Sequence, residues 1–467
     1  MLLLPLLILL PFVAALTSLF AKERYSYDIS ILVSFVVMAL TIGAVVLSYT
    51  GGMGSVSFTL PYISSLGIGL GLQFTSLSLI LVLMTSIVFF AASLVGKYFI
   101  KTSRLYNIFF LVAEAASMGV FLASNLFLFY VFWEVAEIMF FFIIFIYGGY
   151  ERRYAAIKFI VYSLVSSLLL LVAILLLYSS TSSFSISAIE AIAAKIPQGT
   201  QFLIMVILLL AFMIKMPVFP FHTWLPDAHT EAPAPGSMIL AGVLLKFGGY
   251  GLLLMFLLVP LSHTYSAYMV VIFAFSTIYS AVVTFRQTNI KRLIAYSSVT
   301  DMGIVAVGIA AFNVLGSSGA VYAMLSHALA ISMLFMFAGA LDETYGTLEW
   351  RKITGVMNHF PGMSYMFIIG AFAVVGLPLT AGFIGDLLIF LGSFNAFGLI
   401  GLVPLAGVFL LGAVLFWIIE KVFVGPPTGI TPYKRISKSI IYTGVFLLAC
   451  TITFGVLPFL LTAASGL

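Results

Sequence analysis

The stretch Phe212-Met213-Ile214-Lys215-Met216-Pro217 sets a lysine and a proline at the end of an apolar run that starts near Phe202. A lysine carried to mid-membrane is costly, so an intramembrane ionisable residue defaults to a functional role and needs a partner. The proline removes a backbone donor and opens the helix, which lipid tolerates only where protein or a water-filled cavity covers the gap. Charge and break together point to an ion path rather than to a structural span.

The rest of the chain fits that setting. Of its 467 residues, 63% are hydrophobic and 7% are charged, more apolar than a soluble protein with a polar surface to cover. The apolar runs are continuous, not alternating, which excludes a barrel. The fold class is an all-α polytopic membrane protein, a single integral membrane domain over 1–467. A lone cysteine, Cys450, excludes an internal disulfide, a CxxC redox motif and an iron–sulfur cluster held by this chain's thiolates. Met1 to Phe20 has no basic leader and no evident cleavage site, and reads as a retained first helix.

Apolar runs long enough to span give about fourteen helices. They start near Met1, Ile29, Phe74, Leu105, Asn125, Ala155, Phe202, Pro233, Thr264, Leu293, Ser317, Gly362, Gly401 and Ser439. Basic residues test that count. The odd-numbered connections carry Lys22, Arg24, Lys97, Lys101, Arg104, Arg152, Arg153 and Lys158, then Arg286, Lys291, Arg292, Arg351, Lys352, Lys421, Lys434, Arg435 and Lys438. The even-numbered ones carry only Lys195. By the positive-inside rule the odd connections are cytoplasmic and both termini lie outside, in the cell membrane or an equivalent energy-transducing membrane. The asymmetry also accounts for the basic balance without nucleic acid. Gly51 to Leu72 reads as an outer loop with some extended structure, and Ser179 to Gly199 as an interfacial helix.

The seventh span breaks at Pro217 and the twelfth at Gly376-Leu377-Pro378, each beside an ionisable group. Paired broken helices are the sequence pointer to inverted repeats around a mid-membrane site. The expected repeats cover 105–258 and 264–424.

Eight ionisable residues fall about halfway along predicted spans: Glu114, Glu134, Glu137, Lys215, Lys246, Asp301, His327 and Asp386. One alone would read as a paired structural charge. A row of acids, bases and a histidine at one depth is what a proton relay needs, since each station must take and return a proton. Glu134 and Glu137 are three apart, near one helix face. Glu134, next to Trp133, is the expected counter-charge of Lys215. The turn-rich segment from Phe221 to Gly236 holds His222, Asp227, His229 and Glu231, but their spacing fits no strong zinc signature. Structure, not metal, is expected there.

The run Lys215-Met-Pro-Val-Phe-Pro-Phe-His-Thr-Trp-Leu-Pro-Asp-Ala-His-Thr-Glu-Ala-Pro, followed by Gly242-Val-Leu-Leu-Lys246, resembles the antiporter-like proton-translocating subunits. That family includes the M-type (chain 4) subunit of complex I and subunits of membrane-bound hydrogenases and of Mrp-type Na⁺/H⁺ antiporters. Tyr154-Ala-Ala-Ile-Lys-Phe, Gln287-Thr-Asn-Ile-Lys-Arg-Leu-Ile-Ala-Tyr-Ser-Ser and Ser326-His327-Ala-Leu support the resemblance, which runs from about Asn107 to Phe394. It implies a relay of Glu134, Lys215, Lys246, His327 and Asp386. An acid at Asp386 and the glutamate at Glu114 are similar to the M-type subunit. It also implies membrane and peripheral redox partner subunits, with iron–sulfur, flavin or NiFe centres only in those partners. The largest such subunits carry a lateral helix after the fourteenth span, and none is expected here.

One departure stands out. Thr300-Asp301-Met302-Gly303 replaces the histidine-containing run usual in M-type members. The leading expectation is a proton-translocating subunit of a redox-driven complex with no redox site of its own. The alternative is a subunit of a multi-subunit Na⁺/H⁺ antiporter, which Asp301 favours because Na⁺ prefers oxygen ligands. A quinone-reducing chain is disfavoured, since no cofactor motif is visible.

Overall fold

A computed structural model of the chain describes residues 2–49, 56–63, 68–101, 103–427 and 430–458. Among them, thirteen helices are long and apolar enough to cross a membrane, and two shorter ones, Leu3–Ser18 and Pro361–Val374, are also apolar. Taking Leu3–Ser18 as the first pass, and Pro361–Val374 with Ala381–Leu402 as one broken pass, gives fourteen. The passes that matter below are the fifth, Leu126–Tyr147; the sixth, Arg152–Thr181; the seventh, Gln198–Lys215; and the eighth, Ala234–Leu258. With them go the tenth, Ile290–Ala310; the eleventh, Val314–Tyr345; and the broken twelfth.

Hydrogen bonds between connections fix which ones share a face. Asp227, after the seventh pass, bonds both Lys158 of the sixth and Arg292 of the tenth at 2.7 Å. Tyr433 N donates to Thr344 O and Ile430 N to Lys352 O, joining the thirteenth connection to the eleventh. On the other face Ser124 N donates to Gly71 O, Leu126 N to Phe184 O and Leu261 N to the Gln201 side chain. Odd connections meet odd and even meet even, as the charge count requires.

Two local motifs recur with one spacing. Asn125 caps the fifth pass by accepting from Leu128 N and forms an isolated bridge with Ser185, just after the sixth. Asn289 caps the tenth by accepting from Arg292 N and bridges Glu349, just after the eleventh. Asn289 follows Asn125 by 164 residues, and Glu349 follows Ser185 by the same interval. Five crossings separate the two caps, so they lie on opposite faces: the repeats are inverted. The same interval carries Glu137 onto Asp301, two acids in equivalent places.

Capping explains much of this layout. Asparagine, serine and threonine side chains at Thr75, Ser103, Asn125, Asn289 and Asn313 satisfy first-turn amides that lipid cannot. The expected outer loop contains an antiparallel hairpin, Ser57–Ile63 with Ile68–Gln73. Residues 51–55 and 64–67 of that loop lie outside the described residues. The expected interfacial helix is Ile186–Ile192. The tenth and eleventh passes are buried throughout their central windows, and Asp301 and His327 ride on them.

Candidate functional site

The seventh helix ends at Lys215, where Pro217 and Pro220 withhold donors, and resumes as the short helix Trp224–Glu231. The gap is covered by protein. Trp224 Nε1 donates to Ile214 O at 3.0 Å, and Gly248 of the eighth pass lies so close that a Cβ there would stand 2.7 Å from Met216 N. Only glycine lets the eighth helix seal the break.

Lys215 is buried and donates to Glu137 Oε1. Trp133, Phe159 and Trp224 turn ring faces to its ammonium at 5.6, 5.4 and 5.9 Å, a cation–π cage around the pair. Ser167 Oγ donates to the other carboxylate oxygen of Glu137 at 3.2 Å. The expected counter-charge was Glu134; the ion pair forms with Glu137 instead. Residues three apart stand about 60° apart around a helix, enough to separate their faces. Glu137 points inward at 1% exposure, while Glu134 sits at the half-buried edge.

The eighth pass opens into a π-helical turn at Leu240–Leu244, which sequence patterning did not reveal. The turn shifts the ladder by one residue, and Lys246 Nζ donates to Ala241 O, five residues back, at 2.6 Å. Its other partner is Nδ1 of His327, also at 2.6 Å. A protonated lysine donates, so Nδ1 accepts and a neutral imidazole carries its proton on Nε2. That nitrogen faces Asp301 Oδ2 at 3.7 Å. Asp301, Ser326, His327 and Asp386 line one small cavity with Ala373, Val374 and Gly382 at the twelfth-pass break.

The structure thus gathers the expected residues into two groups. Glu137 and Lys215 form one; Lys246, His327, Asp301 and Asp386 form the other. Glu114 stands apart, buried on the fourth helix, with Ser34 Oγ donating to it at 2.7 Å. The four polar residues of the 221–236 segment go to different neighbours. Asp227 ties Lys158 to Arg292, Glu231 accepts from Glu151 N at 2.9 Å, His222 packs among Phe219, Tyr279 and Tyr296, and His229 stacks on Phe335. Burial pushes the His222 imidazole down to about 4, with Lys158 adding to it. Burial, then Lys291 and Lys246, pushes His229 to about 3.

Residues 123–411 match the transmembrane family described as NADH:quinone oxidoreductase/Mrp antiporter, which covers more than half of the chain. The chain belongs to this family. NADH-quinone oxidoreductase subunit M of Rickettsia prowazekii is 37% identical over 364 residues, 77% of this chain and 74% of that one. An NAD(P)H-quinone oxidoreductase chain 4 of Thermosynechococcus vestitus is 36% identical over 380 residues, 79% of this chain and 71% of the other. Among solved structures, a chain of respiratory complex I from Thermus thermophilus superimposes with a TM-score of 0.89 at 26% identity, covering 99% of this chain and 98% of its own. A chain of the Mrp complex from Dietzia does so with a TM-score of 0.91 at 20% identity, covering 99% and 96%, a likeness of fold alone. Every candidate site residue except Glu114 lies inside the family's matched region.

Proposed function

We propose that this family member moves protons along its mid-membrane row, from the Glu137–Lys215 pair to Lys246, His327 and the Asp301–Asp386 cavity. One contact carries the reading: the buried Lys246 ammonium meets His327 Nδ1, whose opposite nitrogen faces a carboxylate. An imidazole can take a proton on one nitrogen and release it from the other, so His327 stands between the base and the acid, and a shift of the Asp301 side chain that closes the 3.7 Å gap completes the path. The Lys215 pair is the adjustable element. A carboxylate close to the ammonium holds its proton, and withdrawal of Glu137 frees it. Glu134 and Glu114 serve as further acids on the approach.

The driving energy comes from elsewhere. The chain works as an antiporter-like membrane subunit of a multi-subunit, redox-driven complex of the complex I kind, with the redox centres held by partner subunits. The relatives' names and the solved complexes support that assignment. The lysine- and arginine-rich face is cytoplasmic and both termini lie outside, as the basic asymmetry indicates. The test is proton uptake by vesicles holding the intact complex, followed with a pH-sensitive dye. Lys246→Met should abolish uptake while the complex still assembles; undiminished uptake would refute the relay. A Na⁺/H⁺ antiporter subunit is the second reading, favoured by the acids that face each other across the Asp301 cavity.

A further inference from the structure

A seam of buried polar side chains joins the second pass, Ser26–Tyr49, to the fourth, Arg104–Leu122. Ser26, Ser30 and Ser34 follow one another by four residues, and Asn107 and Glu114 stand seven apart, so each set keeps to one helix face. Asn107 Nδ2 donates to Ser26 Oγ at 3.0 Å, and its Oδ1 accepts from Ser30 Oγ at 3.0 Å. One turn deeper, Ser34 Oγ donates to Glu114 Oε2 at 2.7 Å. All five residues are at most 1% exposed. The seam has a mouth and an end. Ser26 opens the second pass and Ser103 caps the fourth, both at the lysine- and arginine-rich face, where Glu23 and Asp28 are exposed. Past Glu114, Thr41 turns instead to Ser86 of the third pass, Ser76–Phe99, at 2.7 Å, so the polar line stops at the carboxyl group.

Glu114 is an acid without a counter-charge. Its Oε1 has no hydrogen-bond partner, and no ion pair reaches it among the described residues. An unpaired carboxylate is too costly to bury and takes up a proton instead. Hydroxyls and an amide at a helix contact are ordinary glue in lipid, but packing alone gives no reason for an acid at the end of them. The group also lies at the depth of the proton row. The fourth and fifth passes run antiparallel, with Phe109 on Phe142 and Gly119 against Phe132. Five residues on from Phe109 and five back from Phe142 stand Glu114 and Glu137, level with each other. Within about one turn of that level, Ser117 Oγ and Trp133 Nε1 are also buried without partners, the latter in the ring cage around Lys215. Orphaned polar atoms of this kind are met by ordered water. Every residue of the seam lies before the matched region 123–411.

We propose that this seam is a proton entrance, gated by Asn107, which loads Glu114 from the basic face and supplies the Glu137–Lys215 pair. An amide side chain has no proton to pass on, so Asn107 held between Ser26 and Ser30 shuts the seam. When it swings aside, water reaches from Ser26 to Ser34, about 12 Å along the helix. Glu114 gives its proton toward Glu137, and the carboxylate so formed takes one from the water of the seam, which draws its replacement from the medium. The inference rests on the proton row proposed above.

The experiment is infrared spectroscopy of the purified full chain in lipid nanodiscs, following the protonated-carboxyl band of Glu114 on transfer to D₂O. The band is identified by its loss in Glu114→Gln. It should be present in the wild type and shift as deuterium enters. Asn107→Leu and Ser30→Val each plug the seam with apolar atoms and should slow that exchange by about tenfold or more. Asn107→Ser removes the gate but keeps a hydroxyl and should speed it, a change that a folding defect in the plugged variants does not mimic. Absence of the band from the wild type, or one exchange rate shared by the wild type and all three seam variants, overturns the entrance. In vesicles holding the intact complex, Glu114→Gln should lower proton uptake severalfold with assembly unchanged. Undiminished uptake in Glu114→Gln, with uptake abolished in Lys246→Met, refutes the entrance and leaves the row standing. Uptake that survives Lys246→Met refutes the row and not the gated access to Glu114.

Discussion

Lys246 Nζ and His327 Nδ1 lie 2.6 Å apart and join the eighth pass to the eleventh through two buried titratable groups. The contact defines the donor and the acceptor, and so the direction in which the imidazole can relay. His327→Asn can still accept from Lys246 through its side-chain oxygen but cannot carry a proton onward. Proton uptake by the complex should fall by roughly 10²-fold or more, as when a positioned acid–base group is lost, while assembly is unchanged. Uptake near the wild-type rate would show that the path bypasses His327.

The Glu137–Lys215 pair makes a contrast between neighbours testable. Glu137→Gln leaves a buried ammonium uncompensated, which typically costs about 3–5 kcal/mol, whereas removing both charges together is far milder. A thermal-stability cycle over Glu137→Gln, Lys215→Met and the double variant should therefore show strong positive coupling. Glu134→Gln should lie well below Glu137→Gln in both stability loss and loss of proton uptake. Equal effects of the two glutamate variants would deny Glu137 its special place.

How far the sequence foretold this site depended on what kind of feature was involved. Lys215, Lys246, His327 and Asp386 announced themselves because a charge in an apolar run has few explanations. The breaks at Pro217 and Pro378 were equally plain, since proline's missing donor is a property of the residue. Choosing Glu137 over Glu134 was not, because about 60° of helix rotation turns on packing against the sixth pass and Ser167. The π turn at Leu240–Leu244 left no mark in residue spacing, yet it contains Ala241, whose carbonyl accepts from Lys246. The equivalence of Glu137 and Asp301 was hidden for another reason: it appears only once the Asn125 and Asn289 caps are seen to make matching bridges.

Asp227 ties three connections on one face, with Lys158 and Arg292 each at 2.7 Å. Because Arg292 is partly exposed, solvent discounts its share and the Lys158 bond carries more. Asp227→Asn should lower stability by about 1–2 kcal/mol, toward the low end for hydrogen bonds to charged groups, with a loss that shrinks in high salt. A melting temperature indistinguishable from the wild type in low salt would count against this link.

His222 and His229 give the fold an acid limit. Burial holds their imidazoles at about 4 and about 3, below the ordinary 6.5 they regain on unfolding. The unfolded chain then binds more protons below pH 6.5, so their stability contribution is complete above that pH and drains away as pH falls toward 3 to 4. Each pH unit in that window should remove up to roughly 1.4 kcal/mol per histidine. His229→Phe keeps a ring against Phe335 and removes the titration, so its stability should fall less steeply with acid. An acid limb unchanged by both His222→Phe and His229→Phe would contradict this.

Gly376 is where backbone and site chemistry meet. Its φ of +73° belongs to the left-handed region, where alanine costs about 1–2 kcal/mol. A Cβ there would also stand 2.8 Å from Asp386 Oδ2, so the carboxylate must move or the break must close. Gly362, at the start of the same broken pass, has nothing within 4 Å of the position of its added Cβ. Gly376→Ala should therefore assemble into the complex yet lose most proton uptake, because it displaces the acid at the end of the relay. Gly362→Ala should keep both. The pair separates a cost in helix packing from a cost at Asp386: if both alanines reduced uptake alike, the break would be a flexible joint and not the frame that holds this carboxylate.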